Sequence, residues 1–97
     1  MWSYGTRRAP FMPELSRFYG IVVRRYYRDH APPHLHAEYG SAEVLLDLNS
    51  LAVLEGSLPP RAHGLLVEWA SQHRSALNAA WEQARRLEAI DKIPSLP

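Results

Sequence analysis

The chain contains no cysteine. Disulfides, thiolate zinc sites and cysteine nucleophiles are excluded, and the redox compartment is left undetermined. Charge of one sign is scarce too: 11 Lys and Arg against 10 Asp and Glu leave a formal +1. A nucleic-acid partner would therefore need a local basic patch rather than a global field. No apolar run approaches the roughly 20 residues that span a bilayer, and the start lacks the apolar stretch of a signal peptide. A cytoplasmic location with no membrane partner is the expectation. P-loop, dinucleotide, HExxH and nucleophile-elbow patterns are absent as well, so the common metabolic enzyme classes gain no support.

What is present is an ordinary globular composition over 97 residues, 46% hydrophobic and 22% charged. That is one domain with a modest core. Residues 1–11 read as an N-terminal extension, 12–93 as a single α+β domain and 94–97 as a flexible tail.

Segment 18–28 (FYGIVVRRYYR) is rich in β-branched and aromatic residues and reads as a strand. Segments 34–39 and 42–48 alternate around Gly40-Ser41, a pair suited to a two-residue type II′ hairpin turn. A short fourth strand over 51–55 is a further candidate. A helix is expected to start near Pro59 or Pro60, because proline at the first helical position needs no N–H. Ala62, Leu66, Trp69, His73, Leu77, Ala80, Ala84 and Leu87 then recur at helical spacing. One unbroken helix would run about 40 Å and overhang strands of about 20 Å. Either it breaks near Ser71–Ser75 or the overhang packs on a partner, which admits a homodimer through the helical segment. The fold expected is a three- or four-stranded antiparallel meander followed by one long or two shorter helices on one face.

The chemistry concentrates in residues 29–36, DHAPPHLH, which hold three of the five histidines. The Gly40-Ser41 turn sets Leu35, Ala37, Tyr39, Ala42, Val44 and Leu46 on a core face. His34, His36, Glu38, Glu43, Leu45 and Asp47 fall on the other, with His34 opposite Asp47 and Glu38 opposite Glu43. If the 29–33 loop closes with Arg28 opposite His34, then Tyr26 faces His36 and Arg24 faces Glu38.

That face supports three readings. As a metal-independent ribonuclease, His34 or His36 is acid or base, Asp47 orients an imidazole, and Arg24, Tyr26, Arg28 and Glu38 contact substrate. No cofactor is expected for that reading. As a metal site, His30, His34 and His36 hold a divalent ion such as zinc, nickel or iron. The plain alternative is a solvated sheet face, polar because antiparallel sheets commonly wet one side. Trp69 and Trp81, at helical positions, are expected in the core.

The stretches MPELSRFYGIVVRRYYRDHAPPHLHAEYG, LEGSLPPRA and VEWASQHRSALNAAWEQAR resemble a bacterial family, domain of unknown function four-one-six-zero, from Met12 to about Pro94. The resemblance implies a small cytoplasmic protein with a companion encoded nearby, in an arrangement like a toxin–antitoxin pair. It brings no activity and no catalytic residues with it. The leading expectation joins the two lines: a component of such a module acting through the histidine-rich sheet face on RNA or on the companion, with a non-catalytic binding module, metal-dependent through the same cluster, as the alternative.

Overall fold

In the computed structural model, the residues described are 13–25 and 32–97. Five strands and two helices follow in order: β1 (Glu14–Phe18), β2 (Ile21–Arg24), β3 (His34–Tyr39), β4 (Ala42–Asp47), β5 (Val53–Ser57), α1 (Pro60–Gln72) and α2 (Arg74–Arg85). Every strand pairs antiparallel with its sequence neighbour, giving the spatial order β1-β2-β3-β4-β5. The α+β meander is as expected, but it has five strands rather than three or four.

The extra strand comes from a turn hidden inside an apparently continuous β segment. Phe18 pairs with Ile21, and the two residues between them, Tyr19 and Gly20, both have positive φ, 49° and 82°. That is the signature of a type I′ hairpin turn, whose twist matches that of the flanking strands. It cuts 18–28 in two, and Glu14–Phe18 becomes a strand of its own.

The β3–β4 register matches expectation pair for pair, from Tyr39 with Ala42 to His34 with Asp47. The β2–β3 register is two residues off: Arg24 lies opposite His36 and Val22 opposite Glu38. The expected pairs, Arg24 with Glu38, Tyr26 with His36 and Arg28 with His34, assumed a short loop. Arg24 instead takes the place opposite His36 that Tyr26 was expected to fill, and Tyr26 and Arg28 lie outside the described residues. A slip of two preserves the alternation, so Ile21 and Val23 still face the core and Arg24 still shares a face with His36.

The helical region breaks at His73, inside the expected window. The His73 N–H reaches back to the Ala70 carbonyl, and the His73 carbonyl accepts the first bond of α2, from Leu77. The 13 residues of α1 span about 20 Å at 1.5 Å per residue, the length of a strand in the sheet it covers. Leu66 and Trp69 of α1 and Leu77 and Trp81 of α2 join Leu15, Phe18, Ile21, Val23, Leu35 and Leu46 in one core. Both tryptophans are buried, as expected.

Residues 94–97, expected as a flexible tail, are held together with Ile93 by β1, α1 and the Tyr19-Gly20 turn. The Ile93 N–H donates to the Leu15 carbonyl, the Trp69 indole N–H to Pro94 and the Tyr19 hydroxyl to Pro97. Ile93 and Leu96 are buried.

Candidate functional site: the distal sheet face

The sheet face away from the core carries the charged residues singled out from the sequence. His34 and His36 sit on it but are not open to solvent: they are 2% and 0% exposed. Their rings lie 5.1 Å apart, and the His34 ring is 5.4 Å from the Trp81 ring. The other side of Trp81's neighbourhood is a cation. The Arg25 guanidinium carbon stands 4.1 Å from the Trp81 ring centroid, and Arg25 is buried. Desolvated cation–π contacts of this kind contribute about 2 kcal/mol. Arg25 follows β2 and His34 opens β3, so Trp81 closes the end of the sheet where those two strands meet.

The expected pairing of Asp47 with a histidine has a different outcome. His34 and Asp47 are register partners. However, the His34 Nδ1 lies 2.6 Å from the Pro32 carbonyl. A carbonyl only accepts, so this nitrogen carries the hydrogen. Asp47 Oδ1 instead accepts the backbone N–H groups of Asn49 and Ser50, at 2.7 and 2.9 Å. Those two bonds, Ser50's first and then Asn49's, hold its carboxyl below the ordinary value of 3.8, with His34 adding a minor attraction. Asp47 therefore shapes the β4–β5 turn first, and its attraction to His34 is the weaker of its interactions.

A depressed carboxylate pKa has a defined consequence. As pH falls, the unfolded chain takes up the proton before the folded one does, so stability is lost below 3.8, as pH passes through the folded value. Asp47→Asn is expected to flatten this part of the stability profile. Thermal melts between pH 2 and 6 check it.

Arg24 does reach Glu38, as expected, although on the diagonal rather than directly opposite: Nε to Oε1 is 3.4 Å. Glu38 in turn lies opposite Glu43, and β5 brings Glu55 to Leu45, the next residue but one along β4 on this face. Three carboxylates thus form a row across β3, β4 and β5. The Glu43 carboxyl is pushed above its ordinary value of 4.5, by burial first and then by the charges of Glu38 and Glu55. Together with Leu45 and Gly56, Glu43 and Glu55 line a shallow pocket.

Here the sign is opposite to that at Asp47. A raised carboxylate pKa means the folded state binds the proton more readily. Ionised Glu43 costs stability above its folded pKa, and the cost disappears as pH falls below 4.5. Glu43→Gln is therefore expected to raise the melting temperature at neutral pH. The gain should close as pH drops below that value.

Of the sequence-nominated residues, the structure gathers Arg24, His34, His36, Glu38 and Asp47 on one face. Tyr26, Arg28 and His30 lie outside the described residues. Among the described residues, no three His, Asp or Glu side chains converge as a metal-ligand set. Two features were missed from sequence: the Arg25–Trp81 stack and Glu55. The first had a signal at Arg25, which alternation puts on the same side of the strand as Ile21 and Val23. The second had one in the Leu54-Glu55-Gly56 motif, which could not be placed on a face because β5 is bulged.

A family model described as Domain of unknown function (DUF4160) matches residues 20–82. The chain belongs to this family. The DUF4160 match begins at Gly20 and ends in α2, so it takes in β2 to β5, α1 and the whole acidic row. No curated protein and no solved structure matches the chain.

Proposed function

We propose that this DUF4160 protein is one component of a two-protein bacterial module of the toxin–antitoxin kind, acting on its companion protein through the distal sheet face. One observation carries the choice of a protein over RNA: the row Glu38, Glu43 and Glu55 across that face. Nucleic-acid affinity is dominated by neutralising phosphates with Lys and Arg. A row of carboxylates repels phosphate, and Arg24 beside the row already faces Glu38. The burial of His34 and His36 favours the same choice, since an acid or base must come within hydrogen-bond reach of its substrate.

Among the described residues, no helix is long and apolar enough to cross a membrane. We place the protein in the cytoplasm with its companion. The companion is expected to carry basic residues on the surface that meets this face.

Co-expression with the product of the neighbouring gene tests the proposal. The expected result is that the two proteins purify together as a complex that weakens with added salt, since screening shortens the reach of charge pairs. Incubated with RNA alone, with or without chelator, the purified protein is expected to leave it uncut. Cleavage by the wild type that is lost in a His34→Ala, His36→Ala variant would overturn the choice of a protein partner.

A further inference from the structure

The two edges of the sheet are treated differently. The outer edge of β1 is met by the C-terminal segment, through the Ile93 N–H on the Leu15 carbonyl. The outer edge of β5 pairs with no strand among the described residues, and all five residues of β5 are exposed. Val53 and Leu54 stand 47% and 45% exposed there. An open edge presents unpaired N–H and C=O groups, a template for another strand. Edge strands are usually protected by Lys, by Pro, by shortness, by bulges or by charge. β5 has neither Lys nor Pro; its devices are the bulge at Leu54 and the single charge of Glu55, and that charge is one a basic strand would match rather than avoid.

We propose that β5 receives an extended strand of the companion protein, added antiparallel or parallel to its open edge, in which basic and apolar residues alternate. This rests on the companion-binding reading above and deepens it. Alternation follows from the pleat. Glu55 shares the distal face with Glu43 and Glu38, whereas Val53, opposite Leu46, lies on the core side. A strand laid on this edge therefore meets carboxylates with one set of its side chains and an apolar rim with the other. Basic residues in the first set relieve the crowding of like charge along the row.

Charge also selects against the obvious competitor. A second copy of this chain pairing β5 with β5 would bring Glu55 toward its own counterpart and add a further like-charge contact to the row. RNA supplies neither a strand for the edge nor a positive charge for the carboxylates.

The test uses the full chain and three labelled ten-residue peptides, read by fluorescence anisotropy. One alternates lysine and valine, one alternates glutamate and valine, and one has all its lysines before all its valines. The first is expected to bind best, and the block peptide to bind less well despite equal charge. Leu54→Lys, which places a repelling charge on the edge, is expected to weaken the lysine–valine peptide by about tenfold, the equivalent of about 1.4 kcal/mol. Glu55→Lys is expected to weaken that peptide similarly and to reverse the preference in favour of the glutamate–valine peptide. Circular dichroism confirms that the variants, both at exposed positions, remain folded.

Equal binding of all three peptides, no binding of any, or affinity unchanged in both variants would overturn the inference. The companion protein separates this failure from that of the wider reading. If it binds wild type and both variants equally, the strand-addition inference falls and the companion reading stands. If the peptides behave as expected but the companion does not bind, the edge specificity stands and the companion reading falls.

Discussion

Replacing Trp69 with alanine is expected to destabilise the protein by about 3–5 kcal/mol, the range for truncating a large buried aromatic. Small domains have only about 5–15 kcal/mol in total, so much of the population should be unfolded at 37 °C. The side chain has no exposed surface, and its ring lies 5.2 Å from Phe18 and 5.4 Å from His73. Its indole N–H also donates to the Pro94 carbonyl at 2.8 Å. The substitution therefore removes packing between α1 and β1 and releases the segment that lines the β1 edge. Trp69→Phe separates the two effects. It keeps most of the apolar bulk but leaves the Pro94 carbonyl without its donor, and should cost about 1–2 kcal/mol, mainly the lost hydrogen bond. Urea unfolding of both variants, with hydrogen exchange at Ile93, checks the pair. Fast exchange at Ile93 in an otherwise folded Trp69→Phe protein is the expected pattern.

Gly56→Ala is expected to cost about 2–5 kcal/mol, from backbone strain and steric overlap together. Gly56 has φ of +77°, where a side chain is strained, and a Cβ there would stand 2.1 Å from the Glu43 carbonyl oxygen. Neither obstacle can relax easily, because the atom it meets is backbone in the adjacent strand. The bulge just before it explains the tight approach: Leu45 pairs with Glu55 and Leu46 with Val53, leaving Leu54 as the extra residue. The damage should be local to β5, with amides of Val53–Ser57 exchanging faster while those of β2 and β3 keep their protection. Because β5 carries Glu55 and the open edge, binding of the companion should weaken in the same variant even at temperatures where the protein is folded.

Different parts of this architecture were legible in the sequence for different reasons. The β3–β4 hairpin was readable residue by residue because Gly40-Ser41 fixes a turn and six residues on either side alternate. The helix break at His73 was one of two outcomes that length alone allowed, the other being an unbroken helix overhanging the sheet, because no glycine or proline marks the break. The Tyr19-Gly20 turn was missed because a bulky aromatic at positive φ is rare, and the residues around it have strong β preference. Alternation correctly put His34 and His36 on the face away from the core. It could not say what covers that face: Trp81 of α2 reaches the His34 ring, and the His34 ring in turn stands against His36. The acidic row was half visible, as Glu38 opposite Glu43. Its third member needed the β5 register, which a bulge conceals from any two-residue count.

The central claim is that this face binds a protein through its carboxylate row. The most direct measurement is a calorimetric titration of the neighbouring gene's product into the wild type, into a Glu43→Lys, Glu55→Lys double variant and into an Arg61→Ala control. Arg61 is exposed on α1, the helix that packs on the core face of the sheet rather than the distal one. The account predicts that affinity falls by about a hundredfold in the double variant, roughly one tenfold step for each reversed charge, and is unchanged in the control. Equal affinity of all three proteins for the companion, or RNA binding that the wild type already shows at physiological salt, would contradict it.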